Sequence, residues 1–131
     1  MQNLTESLEN YLEIICNYSN QGKTIRAIDI SKELNISRAS VSEALKKLSD
    51  KGYINYETHS TLILTDLGKE TAQRIIFKHR VLQTFFEKIL ELDSCEASEN
   101  ACRIEHIITE KAFSKIINFI KKNEVEIEWI Y

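Results

Sequence analysis

Proline is absent from these 131 residues and glycine occurs only three times, so long helices can run without interruption. No apolar run approaches the roughly 20 residues that a membrane span needs. The opening residues, MQNLTESLENYLE, are acidic and amphipathic and lack the order of a secretory signal. Cysteine is scarce, and an odd count of three does not suggest a disulfide framework. Cys16, Cys95 and Cys102 are therefore expected to be reduced, as in a cytoplasmic protein without a membrane partner. What remains is 43% apolar and 28% charged. That balance describes a soluble globular chain, with room for one ordinary domain or a small domain and an appended helix set.

A net charge of −3 argues weakly against nucleic acid, but the charge is unevenly spread. Gln21 to Lys51 holds seven Lys/Arg against four Asp/Glu, whereas Glu91 to Glu110 holds six acids and one Arg. A basic segment beside an acidic one suits phosphate contact and cation binding, although uneven surface charge can also be functionless.

Leu4, Leu8, Leu12 and Ile15 recur at helical spacing, predicting a helix from Thr5 to about Asn20. Ile25 to Leu34 reads as a short second helix ended by Asn35. Ser37 can cap a third, in which Val41, Leu45 and Leu48 form the buried stripe and Lys51-Gly52 the close. The period then changes. Residues 53–57 and 61–65 are two short β-type runs around a tip of Thr58, His59 and Ser60. Thr65 or Asp66 caps a long helix to about Leu90, followed by helices over 93–108 and 110–122 and an alternating tail, 125–129, of open conformation.

Three helices and a hairpin follow the order of a winged helix-turn-helix. The fold class expected is mostly α: such a DNA-binding domain over 1–68, then a C-terminal helical domain over 69–131. The third helix would enter the major groove, presenting Ser37, Arg38, Ala39, Ser40, Ser42, Glu43, Lys46 and Lys47. Small residues let it sit deep, the Ala39 methyl can meet a thymine methyl, and hydroxyls can serve bases or phosphates. Lys46, Lys47 and Arg26 would hold phosphates, which positions without reading sequence. Glu43 can accept from cytosine or simply be solvated.

Cys102, Glu105 and His106 stand at i, i+3 and i+4, on one face of a helix. A thiolate, a carboxylate and an imidazole are ligands of first-row metals. Asn10 and Glu13 are also i, i+3 on the first helix, and His79 stands on the fourth. These groups converge only if those helices pack together. Singly, each also reads as ordinary surface or packing, as do Cys16 and Cys95.

The chain resembles the diphtheria toxin repressor family, which includes iron-dependent regulators and manganese transport regulators. The resemblance rests on Glu9-Asn10-Tyr11-Leu12-Glu13, SRASVSEALKKL over 37–48, Leu64-Thr65-Asp66-Leu67-Gly68, Lys78-His79-Arg80 and ACRIEH over 101–106. It implies a metal set drawn from Asn10, Glu13, His79, Cys102, Glu105 and His106. Cys102 matches the iron branch and Glu13 the manganese branch, while Asn10 matches neither. Gln83 and Ser98 are poor stand-ins for the iron branch's second-site ligands, and Glu99 can substitute. Thiolate softness favours Fe(II), with Mn(II) next. The resemblance also implies a homodimer on a pseudo-palindromic double-stranded operator, repression of metal-uptake genes, and a short form without the SH3-like domain of longer members. Phe113, Ile116, Ile117 and Ile120 would form the dimer stripe. A rival reading keeps the winged helix but has it sense a small molecule or thiol oxidation through Cys102. No separate nucleophile or glycine-rich phosphate loop points to an enzyme.

Overall fold

The computed structural model describes residues 4–57 and 60–123. Two compact units divide the chain, Met1–Gln73 and Arg74–Tyr131, with the division inside the fourth helix.

The first unit begins with α1 (Glu6–Asn20), capped by the Thr5 hydroxyl, which accepts from the Leu8 amide at 3.2 Å. Leu8, Leu12 and Ile15 form its buried face, as their spacing requires. α2 (Ala27–Leu34) ends at Asn35 in the left-handed region, φ 54° and ψ 48°, a conformation asparagine tolerates better than most residues. The Ile36 amide then reaches back to the Ser31 carbonyl, closing the tight turn into α3 (Arg38–Asp50). Ser37 caps α3 by accepting from the Ser40 amide at 3.1 Å. Val41, Leu45 and Leu48 are fully buried beneath it, and Gly52 turns the chain at φ 87°.

β1 (Ile54–Asn55) and β2 (Ile63–Leu64) pair antiparallel, Ile54 with Leu64 and Asn55 with Ile63. Ile54 and Leu64 are buried while Asn55 and Ile63 are exposed, so one face of the hairpin covers the core. The hydrogen-bonded strands are shorter than the β-type runs in the sequence. Part of the second run pairs elsewhere: the Leu62 amide donates to the Ile25 carbonyl at 2.9 Å, and Arg26 bridges Thr61. The same pairing corrects the expected start of α2, since Ile25 and Arg26 are extended partners of the hairpin and the helix begins at Ala27. His59 and Thr58 lie outside the described residues.

α4 (Asp66–Thr84) is capped by Thr65, whose hydroxyl accepts from the Gly68 amide at 3.1 Å and donates to the Gly52 carbonyl at 2.6 Å. In the second unit α4 does not continue unchanged to Leu90. A π-helical turn (Phe85–Ile89) follows, capped by Leu90, and Glu91 then turns the chain at φ 59°. α5 (Ser94–Ile104), capped by Asp93, and α6 (Glu110–Lys122), capped by Thr109, complete the described elements. Val81, Leu82, Ala101, Phe113 and Ile120 form the core of this unit, with Phe77, Phe85, Ile104, Ile116 and Ile117 packed against it. The alternating tail, 125–129, lies outside the described residues.

Candidate metal centre and nucleic-acid interface

α5 stops at Ile104, four residues short of the end expected from the sequence, and this places the candidate ligands. Glu105 is its C-cap, donating its amide to the Ala101 carbonyl at 2.9 Å, and His106 sits in the turn that follows. The turn is closed by the Ile107 and Ile108 amides on the Ile104 carbonyl. Glu105 is consequently buried, at 3% exposure, while Cys102, one turn earlier, is exposed.

A buried carboxylate needs hydrogen bonds or a cation to offset its lost hydration. Oε1 of Glu105 has one, lying 3.0 Å from Nδ1 of His79. Oε2 is fully buried and has no hydrogen-bond partner among the described residues. A His106 ring nitrogen lies within 4.8 Å of a Glu105 carboxylate oxygen. His79, Glu105 and His106 are thus brought together by one unit, from α4 and from the end of α5. An acceptor-only oxygen buried beside imidazole nitrogens fits a cation, so the donor set present suits a divalent transition metal. Sequence spacing could not show that His79 meets Glu105, because they are 26 residues apart.

Two further contacts stiffen this unit. The Lys78 ammonium reaches Oε1 of Glu110 at 2.8 Å and stands over the Phe113 ring, 5.7 Å from its centroid. Ser98 Oγ lies 3.4 Å from Nε2 of His79. Neither pair has a local sequence signature, since the partners sit on different helices. Asn10 and Glu13 are half-buried on α1, in the other unit. Gln83 is half-buried, and Glu99 is exposed with its carboxylate on Arg103 at 2.7 Å. Cys16 is a buried packing residue whose thiol is pushed above its ordinary range by burial.

On the first unit, Ser37, Arg38, Ala39, Ser40, Glu43, Lys46 and Lys47 are all exposed, and Ser42 is half-buried. The Ser37 hydroxyl also donates to Ser40 Oγ at 2.9 Å, which leaves the Ser40 proton available to a further acceptor. Glu43 and Lys47 form an exposed i, i+4 pair at 3.7 Å, too solvated to hold either side chain firmly. Arg26 is exposed beside the hairpin. A groove of about 500 Å³ runs between the start of α1 and α3, lined by Thr5, Ser7, Ser40, Glu43, Lys47 and Lys51 among others. The sequence reading gave Thr5 and Ser7 no role at this surface, and took Lys51 only as the close of the third helix.

Two family models match the chain. "Iron dependent repressor, N-terminal DNA binding domain" covers residues 3–62, and "Iron dependent repressor, metal binding and dimerisation domain" covers 65–126. An uncharacterized HTH-type transcriptional regulator of Methanocaldococcus jannaschii is 34% identical over 120 residues, 91% of this chain and 96% of that one. The chain belongs to the iron-dependent repressor family. This is the diphtheria toxin repressor and MntR group, whose members are metal-dependent, DNA-binding transcriptional regulators and not enzymes. The HTH-type transcriptional regulator MntR of Oceanobacillus iheyensis is 28% identical over 127 residues, 95% of this chain and 86% of that one.

Among solved structures of the family, the manganese regulator SloR superposes with a TM-score of 0.76 at 26% identity. IdeR of T. acidophilum does so with 0.73 at 27%. These matches cover 90% and 95% of this chain but only 55% and 56% of those chains, so it spans about half their length. The winged helix-turn-helix and the helical second domain are therefore the family's fold. No described helix is long and apolar enough to cross a membrane.

Proposed function

We propose that this family member is a cytoplasmic repressor of metal-uptake genes, activated by Fe(II) in preference to Mn(II). The observation that carries the reading is the Glu105 carboxylate, buried with Oε2 lacking a hydrogen-bond partner among the described residues. A bound divalent ion would supply the positive charge that this carboxylate lacks. Glu105, His106 and His79 form the core of the proposed ligand set, Cys102 adds a thiolate, and Asn10 and Glu13 on α1 complete it. The thiolate is what tips the preference from manganese toward iron.

The chain would act as a twofold homodimer, its two α3 helices about one DNA turn apart on a pseudo-palindrome. Ser37, Ala39, Ser40, Ser42 and Glu43 would face base edges, and Arg26, Arg38, Lys46 and Lys47 would hold phosphates. Ligands drawn from α1 and from α5 make metal affinity and DNA affinity interdependent, so each must raise the other by the same factor. Fluorescence anisotropy on an operator fragment, anaerobically with Fe(II) or with chelator, tests this. The expected result is at least tenfold tighter binding with Fe(II). Equal binding in chelator overturns the metal switch and leaves thiol oxidation or a small molecule as the signal.

A further inference from the structure

The ring of His79 is engaged at both nitrogens. Nδ1 lies 3.0 Å from Glu105 Oε1 and Nε2 lies 3.4 Å from Ser98 Oγ. Both partners belong to α5 and its cap, and the His79 side chain is only 22% exposed. We infer that Ser98 is a positioning residue of the metal site, fixing the His79 ring through a hydroxyl able to donate or to accept. The inference rests on the metal-sensing reading above.

A neutral imidazole carries one proton, on one nitrogen or the other. A carboxylate only accepts, so Nδ1 facing Glu105 carries the proton; Nε2 is then bare and accepts from the Ser98 hydroxyl. A nitrogen that gives its lone pair to a cation must be unprotonated. If Nδ1 does so, the proton resides on Nε2, and Ser98 Oγ accepts it. The same hydroxyl therefore holds the ring in either tautomer without reorienting it. Alanine can do neither, while threonine keeps the hydroxyl. Partners of this kind, one bond removed from the ion, typically change metal affinity by about 10–100-fold.

The experiment uses the full chain, with Mn(II) as the probe. In the metal-free protein, ¹⁵N spectra of the His79 ring are compared for the natural sequence, Ser98→Ala and Ser98→Thr, and each is then titrated with Mn(II) by calorimetry. Ser98→Ala should shift the Nε2 resonance and weaken Mn(II) binding about tenfold or more. Ser98→Thr should restore both, with thermal midpoints alike. An unmoved Nε2 resonance, or an alanine variant binding Mn(II) as tightly as the natural chain, overturns the inference. A natural chain that takes up no Mn(II) or Fe(II) overturns the metal reading itself, while the spectrum still decides the Ser98 contact.

Discussion

Replacing Gly68 by alanine should destabilise the protein, although the position is helical. In the interior of an exposed helix that substitution gains up to about 1 kcal/mol. Gly68 lies in the first turn of α4, where an added Cβ would stand 2.0 Å from the Tyr53 carbonyl oxygen and 3.2 Å from Leu64 Cδ2. The oxygen cannot simply move. Tyr53 O accepts from the Thr65 amide at 3.0 Å, Tyr53 N donates to the Leu48 carbonyl at 3.0 Å, and Thr65 holds Gly52. Opening the gap therefore displaces the start of the hairpin or the start of α4. Overpacking of this kind costs about 1–3 kcal/mol, occasionally more. A 2.0 Å clash with backbone belongs in the upper part of that range, so with the propensity gain of about 1 kcal/mol set against it a net loss of roughly 1–2 kcal/mol is expected. Urea unfolding should show a lower midpoint at unchanged slope, and heating a midpoint lower by several degrees. Glu70→Ala, exposed on the same helix, serves as the control and should change little. A midpoint for Gly68→Ala equal to or above that of the natural chain would refute the reasoning.

Glu105→Gln keeps the shape of the buried side chain but removes its charge. Metal affinity should fall at least tenfold in calorimetry, while the unfolding free energy of the metal-free protein, from urea titration, stays the same or rises by about 1 kcal/mol; retained affinity would contradict the site. Lys46→Ala should lower the slope of log affinity against log salt by about one and weaken all sequences alike, whereas an unchanged slope would take Lys46 off the phosphates. Burial raises the Cys16 thiol over the opposing Asn20 hydrogen bond. Iodoacetamide at pH 8 should therefore label Cys16 more slowly than the exposed Cys95 and Cys102. Because the folded value lies above the unfolded one, this thiol's contribution to stability is intact below about pH 8.5 and fades as pH rises through its folded value. Pulsed labelling and alkaline urea titrations check both statements.

Much of the fold could be read from local pattern. The Ser37 and Thr65 caps rest on side-chain contacts spanning three residues, as do those of Thr5, Asp93 and Thr109, which were not singled out in the sequence, and such signals are short-range by nature. What was lost was non-local. The pairing of Ile25 with Leu62 shortens α2, and no window of a dozen residues contains both. The π-helical turn and the early end of α5 fall where Phe85, Phe86 and Ile104 pack against the core, which helical periodicity does not encode. For the site, spacing alone put Glu105 and His106 together. The His79–Glu105 contact, the Ser98 contact and the burial of Glu105 come from tertiary structure, and the proposed cation site rests on them.

The most direct measurement is a metal-titrated crystal structure with anomalous scattering collected at the iron and manganese edges. The account predicts one strong peak at bonding distance, roughly 2.0–2.3 Å, from the Glu105 carboxylate and a His106 ring nitrogen. Saturating metal with no peak there, or a peak elsewhere while Glu105 keeps its present surroundings, would contradict it.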